Sequence, residues 1–284
     1  MMRPVALLTD FGLDDPYVGQ MKGTLARLAP CCTVLDVCHG VAPFQVAQGA
    51  FFLAASMPHF PANTIFTAVV DPGVGSPRRI VLCKLDNQLF LAPDNGLLGL
   101  VLYAARKRGN KPQCYDATRT PASGPATFQG RDVFAPLSAE LAQGLEPHDV
   151  GAPLPLDELV SLPATTPRAL TDDDKGSKLT AHVLHVDRFG NVVLNLSPGS
   201  LFPALVGTGQ APGKPAFPRC VRTYADLHEH EVGILVGSQG LLELAVNLGS
   251  AAKLMGCSVG HTVSLTIGTH RNNAHGNKQR KEQI

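Results

Sequence analysis

The first half of the chain alternates short continuous apolar runs with longer stretches of helical spacing. PVALLTD (residues 4–10) is such a run and predicts a buried strand. PYVGQMKGTLARLAP comes next with helical period, Asp15 standing as its candidate N-cap and Pro16 as its first helical residue. CTVLDVCH repeats the strand signal and PFQVAQGAFFLAASM the helix signal. NTIFTAVVD predicts a strand ending at Asp71, and IVLCKL and QLFLAP predict a strand pair. PDNGLLGLVLYAARKRG predicts a helix whose acidic start and basic, glycine-terminated end suit its dipole. RDVFAPLSAELAQG predicts a short last helix. Strands alternating with helices predict a three-layer α/β domain with a mainly parallel sheet.

The pattern changes after about residue 151. GAPLPLDELVSLPATTPRALTDDDKGSK is rich in Pro and Asp, holds no sustained period, and predicts a linker over about 151–178. Beyond it LTAHVLHVD and NVVLNL flank the turn RFG and predict a hairpin. VGILVG, LLELAVN and HTVSLTI add strand candidates, so the second domain should be antiparallel and β-barrel-like. The expected division is an α/β domain over 1–165, a barrel-like domain over 176–270, and a polar, disordered tail over 271–284.

Composition narrows the function classes. Formal net charge is +1, so no global field favours nucleic acid or an anionic membrane. No apolar stretch approaches the roughly 20 residues that span a bilayer, and Asp10 ends the N-terminal apolar run too soon for a signal peptide. Seven cysteines, two of them adjacent and none in a C-x-x-C, suit free thiols in a reducing cytoplasm.

Ligands of α/β sheets sit beyond the carboxyl ends of strands. TDFGLDDPY (9–17), DPGVGSPRR (71–79), APDNG (92–96) and TFQGRD (127–132) all fall at such ends or turns. Each has a plain structural reading as well. Asp10 can form an Asx-turn with Gly12, Asp94 and Asp132 can cap helices, and Arg131 can pair with Asp132. Asp187 and Asn191 can be ordinary turn formers, and Arg79 can be a solvated charge. His39 and His59 stand near element ends, where structural roles are commoner than ligation, and no histidine spacing matches a metal site. GVGSPR lacks the lysine of a phosphate loop and the third glycine of a dinucleotide fingerprint. Residue types alone therefore reach an α/β enzyme with a carboxylate-rich pocket.

The strings LLTDFGLDDPYVGQMKG, VVDPGVGSPRR, APDNGLL, TFQGRDVFAP and DRFGNVVLN, in that order, resemble the S-adenosyl-L-methionine hydroxide adenosyltransferases. That family is related to the fluorinase and chlorinase. The resemblance covers roughly residues 5–268. It implies hydrolysis of S-adenosyl-L-methionine to adenosine and L-methionine, without a cofactor or metal. It also implies a homotrimer whose sites lie between the N-terminal domain of one subunit and the C-terminal domain of the next. Asp10 matches the aspartate that binds the ribose hydroxyls, a task suited to a carboxylate with two acceptor oxygens. Asp15 and Asp187 match acidic positions near the methionine ammonium group, and Ser238 a hydroxyl near the same end. Asn191 matches the reader of the adenine edge, Phe44 stands where an aromatic packs on the nucleoside, and Glu243 adds a second-domain carboxylate. Asp71 and Arg78 match two members of an Asp–Arg–His set that activates water.

The third member departs from the family. Its motif reads T-F-H-G-R-D, and this chain has Gln129 in the histidine position. Glutamine donates and accepts hydrogen bonds but does not titrate. Two other readings therefore stand beside hydrolysis: a nucleoside-binding protein impaired by Gln129, and a halide-using adenosyltransferase. Against the last, the fluorinase carries tyrosine in place of Asp71 and serine in place of Gly130.

Overall fold

The computed structural model describes residues 2–119, 127–174, 178–200, 202 and 218–266. The polar run 271–284, expected to be disordered, lies outside the described residues. The first half contains β1 (Val5–Thr9), α1 (Tyr17–Leu28), β2 (Val34–Cys38), α2 (Val46–Ser56), β3 (Ile65–Val69), β4 (Ile80–Leu85), β5 (Gln88–Pro93), α3 (Gly99–Lys107) and β6 (Gln113–Asp116). A π-helical turn (Gly130–Phe134) then leads into α4 (Ala135–Ala142), α5 (Pro147–Val150) and β7 (Pro153–Leu154).

These strands form one seven-stranded sheet in the order β2-β1-β3-β5-β4-β6-β7. It is parallel across β2, β1, β3 and β5 and antiparallel from β4 to the β7 edge. The reason lies in the connections. Only Asp86 and Asn87 separate β4 from β5, which permits a hairpin, whereas a parallel crossover needs about a dozen residues. Every residue of β1 and β3 is buried, as a strand covered on both faces requires. One face packs Ala50, Leu53, Leu100 and Val101 from α2 and α3, and the other packs Met21 and Leu25 from α1, Phe134 from the π-helical turn and Leu137 from α4. That gives the three layers.

The described part of the expected linker is docked at several points. Leu156, Leu159 and Leu162 pack on the first core, whereas Leu170 belongs to the second. Gly96 makes the approach possible: its φ is +93°, and a Cβ there would lie 2.5 Å from Leu162 Cγ. Arg79, expected as a solvated charge, instead donates from Nε to Asp94 Oδ2 at 3.0 Å and pairs with Glu158. Asp94 Oδ1 accepts from the Val160 amide, so this carboxylate ties the docked segment down. It caps no helix, because α3 begins only at Gly99. Two other cap expectations also give way. Asp15 makes no capping bond to α1, which starts at Tyr17 behind Pro16. Asp132 makes the expected pairing with Arg131, a two-pronged bond from Nε to Oδ1 and Nη2 to Oδ2, and no cap, since a guanidinium satisfies both carboxylate oxygens at once.

The second half holds β8 (Arg168–Ala169), β9 (Lys178–Val186), β10 (Val192–Leu194), β11 (Leu196–Ser197), β12 (Arg219–Cys220), β13 (Gly233–Val236), β14 (Leu242–Ala245), α6 (Ala251–Met255) and β15 (Thr262–Thr266). Six of these strands form a curled half-barrel in the order β12-β13-β14-β10-β9-β15, antiparallel except at β12–β13. A separate parallel pair joins β8 to β11. Leu184 of β9 and Val193 of β10 sit in the first core, so the two halves share apolar packing. Gln48 of α2 also meets His185 of β9, Nε2 to Nδ1 at 2.8 Å.

Candidate active site

The carboxyl ends of the parallel strands assemble the first group. Thr9 and Val69 are register partners across β1 and β3, so Asp10 and Asp71 leave the sheet along one edge. The loop after Asp71 folds back at once, with the Val74 amide bonded to the Asp71 carbonyl and the Ser76 amide to Gly73. That return brings Arg78 onto the carboxylate, its Nε donating to Asp71 Oδ2 at 2.7 Å. Asp71 Oδ1 accepts from the Gly73 amide at 3.2 Å. Arg78 Nη2 donates to Gln129 Oε1. Hydrogen bonds thus join the three residues expected to act on water.

Burial strengthens this arrangement. The Asp71 side chain is 4% exposed and that of Arg78 10%, so the pair lies largely out of water. The guanidinium touches the carboxylate directly, so no water stands between the two. The same contact fixes the Gln129 amide. Its oxygen must face the Arg78 donor, so its NH2 group is directed elsewhere.

Beside this cluster Asp10 Oδ2 accepts from the Phe44 amide at 2.9 Å. Phe44 is 69% exposed and has a φ of +67°, a costly backbone for an aromatic residue. Phe11, Tyr17 and Phe128 interlock edge-to-face with centroids 5.1 to 5.8 Å apart, which joins the loop after β1 to the segment before Gln129. Asp15 is exposed just before α1.

The half-barrel carries the second group. Asp187 Oδ1 accepts from the amides of Phe189 and Asn191, and its Oδ2 accepts from Asn191 Nδ2 at 3.0 Å. Both residues thus form the β9–β10 turn, as their plain reading expects. Asp187, Ser238 and Glu243 also line one cavity of about 150 Å³, together with Phe51, His185 and Gln239. Glu243 is buried and accepts from the Tyr224 hydroxyl at 2.7 Å. Burial pushes the Glu243 carboxyl above its ordinary range; the Tyr224 hydrogen bond opposes this and the nearby Asp187 charge adds to it. Tyr224 is pushed up to about 12, first by burial and then by its bond to Glu243. Burial lowers His185 although Asp187 pulls the other way, which favours a neutral ring.

Among the described residues, no hydrogen bond or ion pair links the Asp10–Asp71–Arg78–Gln129 group to the Asp187–Ser238–Glu243 group. Each group ends in an exposed aromatic: Phe44 in the first, and Phe189, 77% exposed, in the second. Sequence reasoning missed Phe189, Tyr224 and His185. Phe189 had a signal, a large aromatic in a turn where Gly and Asn are the usual residues. Tyr224 and His185 had none, because their contacts are with residues far along the chain. No group of three or more His, Cys, Asp or Glu among the described residues could hold a metal ion.

Sequence comparison decides the family. The profile of the SAM hydroxide adenosyltransferase N-terminal domain matches residues 5–151, and that of the C-terminal domain matches residues 181–264. The chain belongs to the SAM hydroxide adenosyltransferase family. Within it the chain is 39% identical to the (R)-S-adenosyl-L-methionine hydrolase of Thermus thermophilus, over 93% of this chain and 100% of that protein. It is 40% identical to the hydrolase of the same name from Salinispora tropica, over 93% of this chain and 98% of the relative. A fluorinase from Nocardia brasiliensis is 27% identical over 94% of the chain and 98% of its own length. In structure, an uncharacterised conserved protein from Thermotoga maritima superposes with a TM-score of 0.74 at 29% identity, covering 92% of this chain and 98% of that one. A conserved hypothetical protein from Thermus thermophilus gives 0.71 at 35% identity, covering 94% and 100%. The Asp71–Arg78–Gln129 cluster and the half-barrel cavity lie within the two regions that these family profiles match.

Proposed function

We propose that this member of the SAM hydroxide adenosyltransferase family hydrolyses S-adenosyl-L-methionine to adenosine and L-methionine, water attacking the ribose C5′. Relatives near 40% identity over nearly the whole chain carry the name (R)-S-adenosyl-L-methionine hydrolase. The observation that carries the reading is the buried contact of Asp71, Arg78 and Gln129 at the sheet edge where Asp10 also emerges.

The leaving group is a neutral thioether, so its departure needs no general acid. The difficulty is the nucleophile. A guanidinium about 4 Å from a water contributes roughly 4 kcal/mol at an effective dielectric near 20, equivalent to about 3 pKa units. That is far short of making free hydroxide near neutrality. Arg78 is also paired with Asp71, which lowers its net field further. Proton loss from the water therefore overlaps with attack. Asp71 Oδ1 keeps a lone pair beyond its bond from Gly73, and it orients the water or takes its proton. Arg78 stabilises the oxygen as charge develops, and the Gln129 NH2 holds the water by donation. Asp10 binds the ribose hydroxyls and Phe44 lies on the nucleoside. Asn191 reads the adenine edge, while Asp15, Asp187, Ser238 and Glu243 face the amino-acid end. No cofactor takes part.

We infer a homotrimer whose sites form between the first domain of one subunit and the half-barrel of the next. The exposed Phe44 and Phe189 support this, since large exposed aromatics mark surfaces that another surface covers. Mixing subunits tests it. Asp71→Asn and Asp187→Ala proteins, each impaired alone, should regain part of the activity when refolded together if every site draws on two chains.

Gly130 argues against a halide nucleophile. A Cβ there would lie 3.1 Å from Phe128 Cε2, 3.2 Å from Met21 Sδ and 3.3 Å from Phe11 Cε2, so the fluorinase serine would have to displace its neighbours. The buried Asp71 carboxylate would also repel a halide. Incubation with S-adenosyl-L-methionine should release adenosine and methionine in equal amounts, unchanged by EDTA. Binding without turnover would instead establish the impaired, Gln129-limited protein. Halogenated nucleoside in the presence of chloride or fluoride would establish the transferase.

A further inference from the structure

A second polar chain runs behind Asp10 and uses none of the residues assigned above. Thr9, fully buried, bonds through Oγ1 to His39 Nδ1 at 2.8 Å. His39, 5% exposed, bonds through Nε2 to Asp36 Oδ1 at 3.1 Å. Asp36 Oδ2 accepts from Lys22 Nζ at 2.7 Å, and the Phe11 amide donates to Thr9 Oγ1 at 3.3 Å. With the imidazole neutral, donor and acceptor counting fixes each direction. Asp36 only accepts, so Nε2 carries the histidine proton and Nδ1 is bare. The Thr9 hydroxyl then donates to Nδ1 and accepts from Phe11. The Gly12 amide also donates to the His39 carbonyl at 2.8 Å. One histidine thus holds the chain on both sides of Asp10, by its ring through Thr9 and by its carbonyl through Gly12.

The sheet is built to allow this contact. β1 and β2 are parallel, but their register slips between Leu7 and Leu8, so that Leu8 faces Cys38 rather than Val37. Without that extra residue, Cys38 would stand beside Thr9. A bulge in β2 beside the fully buried β1, followed at once by a buried histidine with both ring nitrogens bonded, does more than pack. It sets the direction in which residue 10 leaves the sheet.

We propose that His39 is a positioning residue for the Asp10 carboxylate, with Thr9 as the link and Asp36, held by Lys22, fixing the imidazole tautomer. This rests on the reading of Asp10 as the ribose-binding carboxylate. A carboxylate that meets two hydroxyls at once tolerates displacements of only about 0.5 Å, and its own side-chain bond, to the Phe44 amide, comes from an exposed turn rather than from the core. The His39 grip supplies the core anchor.

Adenosine binding by calorimetry tests the proposal in four proteins: the parent, Thr9→Val, Asp10→Ala and the double variant. Thr9→Val keeps the shape and removes the link. It should weaken adenosine about tenfold, and it should weaken the Asp10→Ala protein no further. Thr9→Ser, which restores the hydroxyl, should bind like the parent. His39→Phe reads the same link from the other side if Thr9→Val does not fold. Losses that add in the double variant, or parent-like binding by Thr9→Val, would overturn the positioning role while leaving Asp10 as a ribose ligand. Parent-like binding by Asp10→Ala would overturn the ribose reading itself, and the positioning role with it.

Discussion

Changing Asp71 to asparagine removes one charge and almost no volume, and the geometry dictates the consequences. Asp71 now serves two donors, Arg78 Nε at 2.7 Å and the Gly73 amide at 3.2 Å, one on each oxygen. Asparagine has one oxygen, so its NH2 must face one of those donors. The Arg78 charge, its side chain 10% exposed, also loses its counter-ion. Breaking a buried pair from one side costs about 3–5 kcal/mol. At about 2–4 °C per kcal/mol for a protein of this size, the melting temperature should fall by roughly 6–20 °C. Catalysis should fall separately. Loss of one preorganised group at the reacting oxygen typically costs about a hundred- to a thousandfold in kcat. The assay is adenosine release from S-adenosyl-L-methionine, run well below the variant's melting temperature, with KM and kcat resolved. The expected result is a large loss in kcat with KM within about threefold. A matching loss in both, or a kcat that survives, would refute the idea that Asp71 acts on the nucleophile rather than on substrate binding.

Three further expectations can be measured on the same preparations. Gln129 does not titrate, so the pH–rate profile should lack a histidine limb near 6.5, and Gln129→His should introduce one; identical profiles would show that position 129 stands apart from proton movement. Glu243 has a raised folded-state pKa, so its stabilising protonation is complete below the ordinary value of 4.5 and is lost as pH rises through the raised one. Glu243→Gln should therefore gain melting temperature over the parent progressively as pH rises across that window, and parallel curves would contradict the assigned burial. Phe44 is exposed at positive φ, and its proposed place on the nucleoside accounts for both, so Phe44→Asn should match or exceed the parent's stability by up to about 1 kcal/mol while weakening adenosine. Weaker folding together with unchanged affinity would count against the nucleoside role.

The sequence by itself determined the alternation of elements. β1, β3, β4, β5 and the β9–β10 hairpin are all local signals, because strand period and turn chemistry are written in consecutive residues. It also determined the family, through motifs spread from Asp10 to Asn191. Only the tertiary structure decided how those motifs meet. Gln129 reaches Arg78 across 51 positions, and His39 reaches Thr9 across 30, through a register slip that no local pattern announces. The expected cap at Asp94 went astray for the same reason. A carboxylate near a helix start is a cap in sequence, yet it turns to a guanidinium where folding brings one within reach, as Arg79 shows. Local propensity selects the elements; long-range packing selects which polar groups lose water together, and that selection makes the site.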